Sequence, residues 1–474
     1  MTQQQINIPR LVIGAPHGRS GKTTVTLALV SGLLGRGVDV QPFKKGPDFI
    51  DPGWLSRLTG KPCRNLDSFM MSRADIRQSF ARSARHSGIA VVEGAMGLFD
   101  GLDLEGSGST AEIAKIIKAP VILVVDTTRM TRSVAAMVNG YRHFDPDLEV
   151  AGVILNKVAR SRHENMLRAA VEKYCGLPVL GVLPKGNEFN IPDRHLGLIP
   201  AAEDSELASM VDHAGRLAGK YLDLDGLLAI AAQAPSLDDV DGSPGPLLTS
   251  LDMGGLRPLR RRAGVGLALD RVFTFYYPEN LEALTAAGAE LAPFDTLRDT
   301  KLPEVDALYI GGGFPEVFAG QLEANESLRE HIRQMIESGL PVYAECGGLM
   351  YLGRQVAWRD QAHRMVGALP FDVEMLDKPQ GHGYVALQVE GDNPFFAGGA
   401  EIRCHEFHHS RVINLDPGAR FAFRVKRGKG IDGRQDGLVY RNVVAGYSHI
   451  HALAAPDWAE NLVRRAEVFR HGSG

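Results

Sequence analysis

Between residues 10 and 183 short apolar runs alternate with helix-patterned stretches: LVIGAP, VDVQPF, IAVVEG, PVILVVD, VAGVILN and PVLGVL. Runs of this length, rich in Val and Ile and without polar alternation, are strands buried on both faces, and the intervening segments must cover them. This rhythm predicts a parallel sheet wrapped by helices. Residues 22–34 illustrate the covering element: Val25, Leu29 and Leu33 recur every four residues, and Gly35 and Gly37 follow. A helix stopped by glycine is expected there. The alternation fails over 236–262, where APSLDDVDGSPGPLLTS is followed by a basic RPLRRR. It resumes with GVGLALD, a helix over 279–287, AELAPF, DALYIGGG, a helix over 325–336, and PVYAEC. Two α/β domains are expected, each doubly wound, at 1–235 and 263–474 with 236–262 as linker. A chain of 474 residues has ample length for two cores.

Composition narrows the class of function. With a net charge of −4 and 23% charged residues there is no basic footprint for nucleic acid. The four cysteines, at 63, 175, 346 and 404, are scattered without a CxxC pair, so neither a disulfide framework nor a zinc site is indicated. The opening MTQQQINIPR lacks the basic and apolar regions of a signal peptide, and no apolar run reaches the roughly 18 residues of a membrane span. A cytoplasmic protein without membrane partners is expected.

The first strand runs into GAPHGRSGKTTV, residues 14–25, and then directly into a helix. Strand, glycine-containing loop, GKT and helix together form the context of a phosphate loop. Gly14, Gly18, Ser20, Gly21 and Thr24 belong to the loop and helix start whose backbone N–H groups would cradle phosphate. Lys22 would reach the outer phosphates and the Thr23 hydroxyl would ligate magnesium. The strict spacing asks for glycine at position 16, where this chain has Pro16. ATP and Mg2+ are the expected substrate and cofactor.

Open parallel sheets bind ligands at the carboxyl ends of their strands. Two acidic segments fall there, FKKGPDFIDP at 43–52 and VVEGAMGLFDG at 91–101. Asp48 and Glu93 would join Thr23 as hard oxygen ligands of magnesium, and Lys44 would steady a phosphoryl group or a substrate carboxylate. Lys45 and Asp51 read as part of this site, with solvated loop charges as the alternative. Asn156, in VILNKV, ends a strand on the same rim and reads either as an adenine contact or as a strand-end turn residue.

In the second domain, PVYAECGGLMYL at 341–352 sets Cys346 between an apolar strand and two glycines. A tight strand-to-helix turn there would expose the sulfur at a helix start, where the dipole favours thiolate. A thiol nucleophile needs a base distant in sequence, and GYSHIHA at 446–452 offers His449 and His451. The N–H groups of Gly313, in YIGGGFPE, and Gly347 would face a developing oxyanion.

Taken in order, GKTTVT, FKKGPDFIDP, RNLDSFMM, VVEGAMGLFDG, RHLGL, YIGGGFPE, AECGGLMYL, HEFHHS and GYSHIHA resemble the cobyrinate a,c-diamide synthase family over nearly the whole chain. The resemblance implies a dethiobiotin-synthetase type of ATP-binding domain and a class I glutamine amidotransferase domain. It implies ATP-dependent amidation of the a and c acetates of a corrinoid through acyl phosphates, in cobalamin biosynthesis, with glutamine as nitrogen donor and ammonia passed internally. By matched motif Cys346 is the nucleophile and His449 the base. Two departures stand out: His451 occupies the place of the usual orienting glutamate, so another acceptor must orient His449, and Cys404 replaces a glycine before HEFH. HEFHHS itself reads as lining a tetrapyrrole edge or domain interface, or as a hydrogen-bonded turn. The partners implied are the tetrapyrrole carboxylate, ATP and glutamine, with a homodimer as the one macromolecular association. Alternatives on the same pattern are amidases of sirohaem or nickel-sirohydrochlorin, cobyric acid synthase, and a non-enzymatic ATP-switch protein.

Overall fold

The computed structural model describes residues 7–186, 214–237, 263–390 and 392–472. The RHLGL motif at 194–198 and the linker from 238 onward lie outside the described residues. The chain divides into two compact units, Met1–Ser243 and Pro244–Gly474.

In the first unit the apolar runs become β1 (Arg10–Gly14), β2 (Val40–Lys45), β4 (Ile89–Glu93), β5 (Val121–Asp126), β6 (Val150–Val158) and β7 (Val179–Pro184). The short β3 (Arg64–Leu66), too brief to show in the pattern, adds an edge. The seven strands lie in the order β3-β2-β4-β1-β5-β6-β7, parallel throughout. Parallel neighbours require crossovers, and α1 (Lys22–Gly35), α2 (Ile50–Thr59), α3 (Arg73–Ala84), α4 (Thr110–Ile116), α5 (Ser133–Phe144) and α6 (Ser161–Cys175) supply them. α3 starts where Ser72 and Asp75 form a capping box, each side chain accepting from the other's backbone N–H. A later helix, α7 (Leu224–Ala232), packs Leu224, Leu227 and Ala231 into the core under β1.

The second unit begins as the alternation predicts and then departs from it. β8 (Ala263–Ala268), β10 (Ala289–Phe294), β11 (Ala307–Ile310) and β13 (Val342–Glu345) are parallel, and β9 (Phe273–Phe275) and β12 (Gly312–Gly313) form a separate antiparallel pair. After a small sheet of β14 (Gln355–Trp358), β15 (Gln361–Arg364), β16 (Asp372–Met375) and β19 (Ser410–Ile413), the main sheet grows antiparallel strands. These are β17 (Gly381–Val389), β18 (Glu401–His408), β20 (Arg420–Arg427) and β21 (Gln435–Tyr440). β22 (Val443–Gly446) closes the gap, parallel to β13 and antiparallel to β21, giving the order β10-β8-β11-β13-β22-β21-β20-β17-β18. Helices α8 (Pro278–Ala286), α9 (Ala319–Ala324), α10 (Glu326–Glu337), α11 (Gly347–Leu352) and α12 (Trp458–Gly472) cover it.

The two-residue period of a strand sorts side chains between two cores. Val342 and Ala344 of β13 and Leu308 and Ile310 of β11 enter the core that α10 and α11 cover. Tyr343 and Tyr309 enter the opposite core, with Trp458 of α12 and Leu284 of α8. Glu345 must therefore share the face of the two tyrosines. No helix among the described residues is long and apolar enough to cross a membrane.

Arg10 ties the first unit together from inside. Its guanidinium is wholly buried and donates to the carbonyls of Ile8 (2.8 Å), Ile117 (2.7 Å), Lys118 (3.0 Å) and Pro235. Burial lowers its pKa to about 10. The bonds join the start of β1, the end of α4 and the chain after α7. A buried group left without its partner costs about 1–3 kcal/mol, so Arg10→Met should lower the stability of the first unit by at least that amount. A urea midpoint unchanged from the native chain would contradict this role.

Candidate active sites

At the carboxyl end of β1 the loop 15–21 turns into α1 through Gly21, whose φ is +93°. A Cβ on Gly21 would also stand 2.1 Å from Asn156 Nδ2. Glycine is needed there for both reasons. Asn156, from β6, donates to Ser20 O at 2.9 Å, and its own carbonyl oxygen accepts from Lys157 N at 2.9 Å. Its side chain is thus occupied in holding the loop rather than turned to the rim. Ser20 Oγ donates to His17 O at 2.9 Å, Pro16 O accepts from Tyr141 at 2.7 Å, and Gly14 N-terminal to them lies against Leu98. Gly18 borders open space, with only Met96 Sδ at 4.0 Å from an added Cβ. Lys22 Nζ bonds to Met96 O (2.7 Å) and His17 O (3.3 Å), curled over the loop. Its pKa falls to about 8, through burial first and Lys44 second. Thr24 is half-buried on the first turn of α1.

Beside the loop, charges from three elements converge. Lys44 Nζ, buried at the end of β2, pairs with Glu93 Oε1 at 2.9 Å, with Asp51 Oδ2, and with Asp48 at 3.7 Å. Thr23 Oγ1 donates to Glu93 Oε1 at 2.6 Å and lies 3.4 Å from Asp51. Burial disfavours the Lys44 ammonium, but Glu93, Asp51 and Asp48 outweigh it and raise its pKa. Glu93 is pushed up to about 8 by burial and then by Asp51, against the pull of Lys44. Asp48 rises to about 6 for the same reasons, while for Asp51 the charge and hydrogen bond of Lys44 outweigh burial and lower it. Three carboxylates around one ammonium carry excess negative charge, which a further cation would neutralise. Glu93 Oε2 is buried and accepts no hydrogen bond among the described residues. No preformed cage of three or more His, Cys, Asp or Glu exists among them. Magnesium takes one or two carboxylates and completes its shell with phosphate and water. Asp51 is the residue sequence reasoning undervalued; the first turn of α2 folds it back under Lys44.

In the second unit Cys346 sits between β13 and α11 with φ +48° and ψ −99°, strained backbone for a non-glycine residue. Its N–H donates to Gly446 O of β22 at 2.7 Å, which fixes the turn. The sulfur is buried, only 5% of the residue being exposed, contrary to the exposed thiolate expected from sequence. Burial raises the thiol pKa, Glu316 adds to the rise, and the Gly347 N–H opposes them. α11 has six residues, too short a dipole to outweigh that burial. The resting form is the thiol. A Cβ on Gly347 would stand 2.9 Å from Gly313 N, so the two backbones assigned to the oxyanion meet beside the sulfur.

β22 runs parallel to β13 and leads to His449, three residues beyond its end. Asp436 holds the intervening turn, accepting from Tyr447 N (3.0 Å), Ser448 N (3.1 Å) and Ser448 Oγ (2.7 Å). The His449 ring lies between Gly312, where an added Cβ would be 2.4 Å from Cε1, and the ring of His405, stacked at 4.9 Å. Its Nδ1 is 3.5 Å from Glu345 Oε2. His451 turns elsewhere: Nε2 is 3.5 Å from Glu279, and Nδ1 accepts from Leu453 N at 3.2 Å. His405, Glu406, His408 and Ser410 of HEFHHS are buried braces, whereas Phe407 is exposed. His408 stacks on Tyr447 at 3.7 Å and bonds to Ser410 O at 2.8 Å, and Glu406 accepts from Lys429 N (2.6 Å) and Gly430 N (2.8 Å). Cys404 is buried, its thiol pKa raised by burial, with Val385 O at 3.7 Å. Glu345 and Asp436 escaped the sequence reading. Glu345 carried a usable signal, a charge ending a buried strand, as Glu93 does.

A phosphate-loop unit joined to a unit with a strand-turn cysteine and a buried histidine defines a nucleotide-binding enzyme with an amidotransferase domain. Residues 11–199 match the CobQ/CobB/MinD/ParA nucleotide binding domain and residues 264–457 the CobB/CobQ-like glutamine amidotransferase domain. The cobyrinate a,c-diamide synthase of Magnetococcus marinus is 48% identical over 96% of this chain and 97% of its own length. Those of Archaeoglobus fulgidus and Methanothermobacter thermautotrophicus are 44% and 41% identical, each over 97% of this chain and 98% and 100% of their own. The chain belongs to the cobyrinate a,c-diamide synthase family.

The contact of Gly312 with His449 is directly testable. Gly312→Ala must push the imidazole aside, and a misplacement of about 1 Å can cost on the order of 100-fold in rate. Glutamine hydrolysis should fall at least tenfold by that reckoning, measured as glutamate release; a native rate would show that the ring position is not critical.

Proposed function

We propose that the chain amidates the a and c acetate side chains of cobyrinate or hydrogenobyrinate, taking nitrogen from glutamine and energy from ATP. Near-full-length identity to enzymes named for that reaction carries the reading. It favours a corrinoid over sirohaem or nickel-sirohydrochlorin, and the buried Cys346 and His449 speak against a non-enzymatic switch. A cytoplasmic location and a homodimer belong to the same reading, the latter measurable by sedimentation.

A carboxylate is a poor electrophile, so the γ-phosphoryl group of ATP is first moved to a substrate carboxylate oxygen, giving an acyl phosphate and ADP. Lys22 would leave the carbonyls of Met96 and His17 for the phosphates, a cheap exchange because those bonds are to neutral acceptors. Loop N–H groups at Gly18, Gly21 and Thr24 would hold the phosphate oxygens. Lys44 would balance the charge of the reacting carboxylate and phosphoryl group. Thr23, Asp48 and Glu93 are the oxygens that would hold magnesium, which supplies charge neutralisation at the phosphates when bound. Ammonia then attacks the acyl carbon and phosphate leaves.

The nitrogen arises at Cys346. His449 takes the thiol proton as sulfur attacks the glutamine amide carbon, and the oxyanion faces the N–H groups of Gly313 and Gly347. His449 returns its proton to the departing nitrogen, ammonia leaves, and a thioester remains. Water, deprotonated by His449, hydrolyses it to glutamate and restores the thiol. Proton transfer to His449 within the encounter is essential, because burial disfavours a free thiolate.

The two half-reactions are separable. Cys346→Ala should abolish glutamine-dependent synthesis and leave ammonia-dependent synthesis intact. Lys22→Ala and Glu93→Gln should lose synthesis with either donor, by about 100-fold or more, while Cys346 still reacts with a glutamine-like electrophile. Equal loss with both donors for Cys346→Ala, or full ammonia-dependent activity for either first-unit variant, would overturn the assignment.

A further inference from the structure

We propose that Glu345, the residue immediately before the nucleophile, is the carboxylate that orients His449. The inference rests on the amidotransferase reading of Cys346 and His449. The place two residues after the histidine is taken by His451, which faces Glu279 instead. Glu345 Oε2 lies 3.5 Å from His449 Nδ1, ion-pair range and a short closure from a hydrogen bond. Glu345 is 1% exposed and His449 2% exposed, so little solvent screens the pair.

The carboxylate is itself fixed. Oε1 accepts from Tyr343 Oη at 2.8 Å and Ile450 N at 3.0 Å, and Oε2 accepts from Tyr309 Oη at 3.3 Å. Both tyrosine pKa values are raised well above the usual value, by burial and then by Glu345, so both remain donors. Asn280 donates to Tyr309 Oη (3.1 Å) and Ile450 O (2.7 Å) and accepts from Ala452 N (2.7 Å), bracing both sides. The parallel pairing of β13 with β22 aligns Glu345 with Gly446, which puts nucleophile, carboxylate and base in one register. One strand thus delivers two functions: Cys346 in the turn, and Glu345 on the face opposite Ala344.

The charged and titratable groups about this imidazole are Glu345 on β13 and His405 stacked from β18. Tyr277, His382 and His451 surround His405, and Glu316, Glu345 and Asp436 each raise the Cys346 thiol. Of these, Glu345 is the carboxylate at Nδ1. A carboxylate there favours imidazolium and hence the thiolate–imidazolium pair formed on attack. Glu345 also raises the Cys346 thiol directly, and it favours the ion pair only through His449, so removing its charge should move thiolate formation to higher pH while His449 is present.

The test uses the full-length chain and iodoacetamide, whose reaction with Cys346 needs neither ATP nor corrinoid. In Glu345→Gln the pH profile of Cys346 alkylation should move up by about one unit, a tenfold slower rate at fixed neutral pH. Glutamine-dependent kcat should fall about 10- to 100-fold, as when supporting residues are lost. In a His449→Ala background the same substitution should not slow alkylation, because only the direct repulsion of Glu345 on Cys346 is then relieved. An unmoved profile, or an equal effect with and without His449, would overturn the proposal. Should Glu345→Gln fail to fold, Tyr343→Phe, which keeps the charge and frees one oxygen, should move the profile the same way by less, and no movement would overturn it. Because alkylation is independent of the tetrapyrrole, failure of the cobyrinate reading would leave this result standing.

Discussion

A parallel sheet delivers the last residue of every strand to one edge, and both units of this protein depend on that constraint. In the first, β1, β2 and β4 end at the phosphate loop, Lys44 and Glu93, so that residues far apart in sequence meet without any long-range loop to carry them. In the second, β13 and β22 end at Cys346 and at the turn leading to His449. The edge also explains the local chemistry. Backbone N–H groups freed where a strand turns into a helix are left to face whatever ligand lies there, which is why we propose phosphate in one unit and an oxyanion in the other.

Both sites bury ionisable groups, and the partners decide what each can do. Lys44 stays charged because Glu93, Asp51 and Asp48 face it, while burial and Asp51 raise Glu93 to about 8 against the pull of Lys44. Cys346 has no cation at hand in the resting state, so burial keeps it a thiol. A nucleophile that ionises only with its base engaged is protected from adventitious oxidation, since reactivity follows thiolate character. The strained φ of Cys346 is sustained by the Gly446 hydrogen bond and the close backbone of Gly313.

How much of this was legible in the sequence follows from how local each feature is. The phosphate loop and the cysteine turn could be read directly, because glycine marks the backbone and Lys22, Thr23 and Cys346 carry the chemistry within a few residues. The parallel strands could be read from unbroken apolar runs. The strands of 381–446 could not, since β17 and β18 alternate buried and exposed residues and are interrupted by a bulge, leaving motifs without a frame. Asp51 could pass for a solvated charge until α2 folded it under Lys44. Asn156 stood at the right rim, but only the approach of the loop reveals that its amide is spent on Ser20 O. Glu345 was visible as a charge in a buried strand; its partner could be found only through the β13–β22 register.

The central claim is that one chain couples phosphoryl activation of a corrinoid carboxylate to nitrogen released at Cys346. The direct measurement is mass analysis of cobyrinate incubated with the protein, ATP and glutamine labelled with 15N in its side-chain amide, alongside a count of nucleotide products. The account predicts a diamide carrying label at both new amides, with ADP and phosphate formed in step with each. Unlabelled or absent amides, or AMP in place of ADP, would contradict it.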